Sequence, residues 1–217
     1  MEEENTCIVS GKLDCKTCDI KNLLICEIDV KKARKFVLGN TIYRLIALTI
    51  FLFLGLMTNQ WLWFYSYGII VALTFILIEP RVLCSHCPHY ARNGKFLKCW
   101  ALRGMPKLWR YNPGPISKAE KNIMLILGFF IDLFPFIGVI YGIVIFILNP
   151  FGQLVYGIGL IITTIFFTYM VYYFSKVLLG DACKRCPNFS CGMNKVPKEV
   201  VNKFLEKNPV VQKAWDK

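Results

Sequence analysis

Histidine is almost missing from this chain. Of 217 residues only His86 and His89 are histidines, and neither lies in an apolar stretch. No haem held by paired histidines within a membrane is therefore expected. Also missing are a phosphate-binding glycine loop, an HExxH pair, a nucleophile elbow and a paired-carboxylate constellation. Their absence argues against a hydrolase or nucleotide-driven enzyme and for a non-catalytic redox or structural subunit. The N-terminus, MEEENTC, has an acidic start and no small-residue cleavage site, so no cleavable signal peptide is expected. Cysteine is absent from every apolar run, although the chain has ten cysteines.

What is abundant is apolar sequence. A hydrophobic content of 55% and a mean hydropathy of +0.46 exceed those of an ordinary water-soluble domain. A helix needs about 20 apolar residues to span the hydrocarbon core. Four stretches approach or exceed that length: Ile42 to Thr58, Trp61 to Ile78, Ile123 to Leu148 and Leu154 to Leu179. The turns Asn59-Gln60 and Asn149 to Gln153 carry no charge. Lysine and arginine crowd the segment before the first span, the central loop and the segment after the last. Basic loops stay on the cytoplasmic side, so both termini and the central loop are expected there, in an integral protein of the cell (inner) membrane. The formal charge of +12 then reads as topology and contact with the lipid bilayer's anionic head groups, and nucleic acid is not expected as a partner.

The expected fold is an all-α integral membrane protein, with four transmembrane helices as two hairpins and cysteine-rich cytoplasmic loops. Its segments are an N-terminal cysteine cluster with an interfacial helix (1–40), a first membrane hairpin (41–79), a Cys/His loop (80–122), a second hairpin (123–179), and a last cysteine cluster with an amphipathic helix (180–217). Asp29 to Val37 carries Val30, Ala33 and Val37 at helical spacing opposite basic residues, as a helix lying at the membrane surface would. Ser117 and Glu120 form a capping box for span three. Val200, Val201, Phe204 and Leu205 make an apolar stripe that is expected to cover the cysteine site.

The cysteines fall into three clusters, each with a CxxC pair: Cys15/Cys18 with Cys7 and Cys26, Cys84/Cys87 with Cys99, and Cys183/Cys186 with Cys191. LCSHCPHY and ACKRCPNFSC each follow an apolar pair of spans, which suggests a duplicated hairpin-plus-CxxCP unit whose two motifs meet at one membrane face. Chance similarity is the competing explanation, since eleven residues separate Cys87 from Cys99 and only four separate Cys186 from Cys191. On the reducing cytoplasmic side structural disulfides are not expected. Metal binding is, because two thiolates three residues apart can face one ion. The candidate ligands are Cys7, Cys15, Cys18, Cys26, Cys84, Cys87, His89, Cys99, Cys183, Cys186 and Cys191. The N-terminal four can close a site alone, and His89 is the fourth-ligand candidate for the middle cluster. Proline after the second cysteine in both repeats, the lack of a ribbon hairpin and the membrane setting favour iron–sulfur clusters; the mixed Cys/His supply keeps zinc as the alternative.

Asp132 is the one acid deep in a span, either a functional intramembrane acid or a residue nearer the interface than it looks. Pro135, three residues on, is expected to kink the helix and free a carbonyl. Gly138 and Gly142 read as close helix packing. Two aromatic runs, Trp61 to Tyr65 and Phe166 to Tyr173, serve as interfacial belt and packing, with a quinone site as the less economical reading. The leading function is a membrane-anchored iron–sulfur electron-transfer subunit with a protein partner in a membrane complex, passing electrons between a soluble redox partner and either quinone or a membrane partner. The alternatives are a zinc-stabilised membrane scaffold or assembly subunit, and a soft-metal handling or CxxC thiol redox protein.

Overall fold

The computed structural model describes residues 18–20, 22–26 and 28–216. Seven α-helices are found among them: α1 Val30–Thr58, α2 Leu62–Leu73, α3 Lys118–Leu148, α4 Pro150–Val177, α5 Cys183–Arg185, α6 Lys198–Glu206 and α7 Pro209–Trp215. No strand forms among the described residues, only an isolated bridge between Phe96 and Pro106. Four stretches, Val30–Thr58, Leu62–His86, Lys118–Leu148 and Pro150–Arg185, are long and apolar enough to cross a membrane. This is an all-helical chain with four candidate membrane spans.

The chain divides into two compact units. The apolar unit comprises Leu38–Phe75 and Leu125–Ser175; the cysteine unit comprises the described residues up to Val37, Ile76–Met124 and those from Lys176 on.

In the apolar unit large side chains face outward, among them Ile126, Phe129, Ile137, Ile140, Ile147 and Val155. Such a surface suits hydrocarbon and would be an aggregation hazard in water. Small residues bring the helices close. A Cβ on Gly138 would stand 2.9 Å from the Phe51 ring, and one on Gly142 would collide with Leu160, which agrees with close packing at this GxxxG. α3 runs on through Pro135, whose ring nitrogen cannot bond the carbonyl of Ile131 four residues back. The freed carbonyl is taken by the Tyr67 hydroxyl, which donates to it at 3.0 Å. Asp132 next to it accepts from the Tyr43 hydroxyl at 2.6 Å, and Tyr43 stacks on Phe167. Asp132 thus has a hydrogen-bond partner on another helix.

The segment expected to lie at the membrane surface and the first apolar stretch belong to one helix, Val30–Thr58. Asp29 caps it, its carboxylate accepting from the amides of Lys31 (2.9 Å) and Lys32 (3.2 Å). Gly39 is used for closeness: a Cβ there would stand 3.0 Å from the Phe174 ring. Asn59, with φ 55°, ends the helix in the left-handed conformation. At the start of α3 the capping box forms as the sequence requires: Ser117 Oγ donates to Glu120 (2.8 Å), Glu120 accepts from the Ser117 amide (3.0 Å), and Ser117 Oγ accepts from the Glu120 amide (3.2 Å).

Candidate functional site

Both apolar helices that precede a CxxCP motif change winding before the first cysteine. α2 passes into π-helical turns over Thr74–Ile78 and Pro80–Cys84, and α4 into one over Leu178–Ala182. The wide turns close with five-residue bonds, Ser85 N–H to Pro80 O and Cys183 N–H to Leu178 O. π-turns cost regularity and concentrate at functional sites.

The second cysteine then leaves the helix in the same way in both modules. Cys87 has φ −84° and ψ 132°, Cys186 φ −76° and ψ 125°. The cause is the following proline, which clashes with a helical conformation at the residue before it. Pro88 and Pro187 have no N–H to offer the sulfur, and the backbone of the next residue, His89 or Asn188, draws the Cys87 or Cys186 thiol toward the thiolate. Among the third cysteines, Cys99 Sγ accepts from the Leu102 amide at 3.2 Å, and the backbone at Met193 and Asn194 acts on Cys191 in the same sense. Backbone N–H groups aimed at sulfur favour thiolate, the form that binds metal.

Cross-bonds hold the two modules side by side. Asn188 Nδ2 donates across to Leu83 O (2.8 Å), while within the second module Asn194 Nδ2 donates to Cys186 O (2.8 Å) and Asn188 O (3.0 Å) and holds the turn that presents Asn188. A strap near the N-terminus ties both: the Ile25 amide donates to Arg185 O at 2.8 Å, Ile25 O accepts from His89 Nε2 at 2.9 Å, and Cys26 O accepts from Arg92 at 2.9 Å. The C-terminal stripe packs on this strap, where Val200 and Phe204 bury Ile20, Leu24 and Cys26, with Phe189 of the second module against them. Lys207 and Lys203 reach Asp19 at 2.9 and 4.0 Å on its exposed side.

Six of the expected ligands, Cys84, Cys87, Cys99, Cys183, Cys186 and Cys191, are thereby gathered in one unit as free thiols. Cys84 and Cys99 act electrostatically on one another. Burial pushes Cys87 and Cys191 above the ordinary thiol range and Cys186 up to about 12. Cys99 is held below that range by Cys84 and by the backbone at Ala101 and Leu102. Buried sulfurs of this kind require either protons or a cation.

Both histidines have one ring nitrogen occupied and the other unpaired. His89 Nε2–H donates to Ile25 O, leaving Nδ1 buried without a partner; His86 Nδ1–H donates to Gly114 O at 2.7 Å, leaving Nε2 in the same state. His89 is neutral, its pKa lowered to about 4 by burial and by Arg92. A carbonyl on one nitrogen and a free lone pair on the other is how ligating histidines are oriented. The donor set fits a soft metal, while among the described residues no three His, Cys, Asp or Glu side chains close on a single ion position.

Other expected residues lie elsewhere. Cys18 and Cys26 are packed with the aliphatic strap cluster. Cys7 and Cys15 lie outside the described residues, so the proposed N-terminal four-cysteine site does too. Asp132 sits in the apolar unit. Within that unit Phe51, Leu54, Gln60, Trp63, Phe134, Ile137, Gly138 and Tyr141 line a cavity of about 410 Å³.

Sequence reasoning set His86 aside and passed over Glu79, Asn188 and Asn194. Glu79 acts electrostatically on Cys84, Cys99 and Cys191. Ordinary 3.6-residue periodicity hides that relation, which the π-turn creates. Asn188 was findable from the repeat, since it occupies the place of His89. Comparison with known protein families, with curated proteins and with solved structures finds no match for this chain.

Proposed function

We propose that this chain is a membrane-anchored iron–sulfur electron-transfer subunit. Its four spans cross the cell membrane as two hairpins of a duplicated hairpin-plus-CxxCP unit, with both termini and the cysteine-bearing loops on the cytoplasmic side. The observation that supports the reading is the gathering of six free thiols, the two CxxCP pairs with Cys99 and Cys191, in one unit, with the Leu102 amide donating to Cys99 Sγ.

A cluster held there would supply one-electron redox chemistry. The chain's own residues would bind it, direct amides at its sulfur ligands, and cover it with the strap and α6. Hydrogen bonds to sulfur and exclusion of water both tune the potential of such a centre. A soluble redox partner on the cytoplasmic side and a membrane partner or quinone complete the path, and the aromatic cavity around Trp63 and Tyr141 has the size and apolar lining for a quinone ring.

The second reading, a zinc-stabilised scaffold or assembly subunit, is favoured by the two oriented histidines with unpaired nitrogens. Anaerobic purification in detergent followed by iron, zinc and acid-labile sulfide analysis separates the two. Iron and sulfide, with broad absorbance near 400 nm that bleaches with dithionite, are expected at roughly cluster stoichiometry. A colourless protein with stoichiometric zinc would replace the electron-transfer reading by the scaffold.

A further inference from the structure

Asp132 is the only acid in the apolar unit, and it stands close to the middle of the 31-residue α3. It is exposed. One carboxylate oxygen, Oδ1, accepts from the Tyr43 hydroxyl at 2.6 Å, and Tyr43 is itself buried against the rings of Phe167 and Phe174. The donor comes from the interior while the acid opens to the surface. Arg44 acts on the carboxylate from α1, with its own guanidinium over the Phe75 ring and donating to the Asn40 carbonyl at 3.3 Å.

The face of α3 that carries Asp132 is covered on one side of it and bare on the other. One turn on, Phe136 packs on Phe167 of α4, with ring centroids 5.2 Å apart. One turn back, a Cβ on Gly128 would meet nothing within 4 Å, and Leu125 and Phe129 are exposed. Gly128 and Asp132, four residues apart, lie on one side of the helix. Ionisable groups at membrane depth are costly against lipid and turn toward a partner. A small residue beside such a group lets another helix come close, and small residues with interhelical hydrogen bonds hold helices together in hydrocarbon.

We propose that the α3 face bearing Gly128 and Asp132 docks a transmembrane helix of a partner protein, whose basic side chain, lysine or arginine, pairs with Asp132. The proposal goes beyond the electron-transfer reading and rests only on α3 crossing the membrane. A second copy of this chain suits the face less well, because a twofold contact there brings the two Asp132 carboxylates together.

The test uses the full chain in phosphatidylcholine vesicles. Lipid-soluble dicyclohexylcarbodiimide is expected to modify Asp132, as found by peptide mapping, and a water-soluble carbodiimide is not. The protonated carboxyl adds across one C=N bond and rearranges to an N-acylurea, with nothing leaving. Modification by the water-soluble reagent would overturn the span and the proposal together, whereas modification by neither would show an acid closed off from lipid and overturn the docking face alone.

The partner is represented by a leucine-rich helical peptide of about 23 residues with one guest side chain at its centre. Association is read as fluorescence energy transfer from a donor dye on the chain's C-terminus to an acceptor on the peptide. The lysine-guest peptide is expected to bind about tenfold more tightly than the leucine-guest peptide. Asp132→Asn, which keeps an acceptor for Tyr43, should bring the two within about twofold, and Gly128→Leu, whose side chain has open space in the chain alone, should weaken the lysine peptide several-fold. Equal binding of both peptides, a lysine preference that survives Asp132→Asn, or full lysine affinity in Gly128→Leu would overturn the docking face. Energy transfer between two labelled copies without peptide, lost in Asp132→Asn, would give the face to a second copy and overturn the partner helix.

Discussion

The apolar unit and the cysteine unit differ in the kind of polar group they leave unpaired. In the apolar unit the hydroxyls of Thr58, Thr163, Thr164 and Thr168 bond a carbonyl one turn back, Tyr43 bonds Asp132, and Tyr67 bonds the carbonyl that Pro135 leaves open. Hydrocarbon offers no partners, so such bonds must close internally. In the cysteine unit His86 and His89 each keep an unpaired ring nitrogen, and thiols are collected that burial holds protonated. Thr74 Oγ1 and Gln153 Oε1 of the apolar unit are also buried without a partner, so what sets the cysteine unit apart is the kind of group it leaves unpaired, two imidazole nitrogens in the segment that carries Cys84 and Cys87. Its own core is slight, with one cluster of Ile20, Leu24, Cys26, Val200 and Phe204 and another of Tyr90, Leu97 and Leu102.

The sharpest way to break this contrast is to remove metal. Stripping with a chelator under reducing conditions is expected to open the segments 84–112 and 183–196 to proteases while the far-ultraviolet signal of the long helices stays largely unchanged. Equal protease resistance before and after stripping would show that the cysteine unit stands without metal.

Acid is expected to act next most strongly, and on the cysteine unit alone. Cys87, Cys186 and Cys191 are raised above the ordinary thiol range, so at neutral pH the metal-free unit holds them as thiols. Binding displaces those protons. The unbound form therefore carries more protons, and falling pH favours it, by up to about tenfold per pH unit for each proton displaced. With its pKa near 4, His89 stays neutral through the window from pH 7 to 5, so His89→Gln is expected to leave the slope there unchanged. Metal retention against a competing chelator at stepped pH measures this, and a flat profile would remove thiol protonation from the account.

The smallest effect is expected in the apolar unit. Tyr67→Phe leaves the Ile131 carbonyl without its donor, which should cost about 1 kcal/mol of stability in detergent. Metal content should not change. A loss of metal in this variant would mean that the two units are energetically coupled.

Much of this was legible in the residues. Hydropathy located the four long apolar helices because the solvent selects for length and apolarity in each span independently. Ser117 with Glu120 announced the cap of α3, and Pro135 announced an unpaired carbonyl. The continuity of α1 was not legible, since Asp29 to Val37 reads as a surface helix separate from the apolar stretch that begins at Ile42. Nor were the π-turns, which bring Glu79 into electrostatic reach of Cys84 by a winding that ordinary helical spacing does not predict.

By itself, the sequence determined four apolar stretches, the cysteine clusters at or beyond their ends, and the extended backbone at Cys87 and Cys186. Each follows from local chemistry: hydrophobic length, exclusion of thiols from the apolar runs, and the clash a proline imposes on the residue before it. Only the tertiary structure decided that the two CxxCP motifs lie together, that Ile25 bridges His89 and Arg185, and that Tyr67 rather than water closes the gap at Ile131. Those outcomes depend on contacts between residues 64 to 160 positions apart, and no local preference specifies such a meeting.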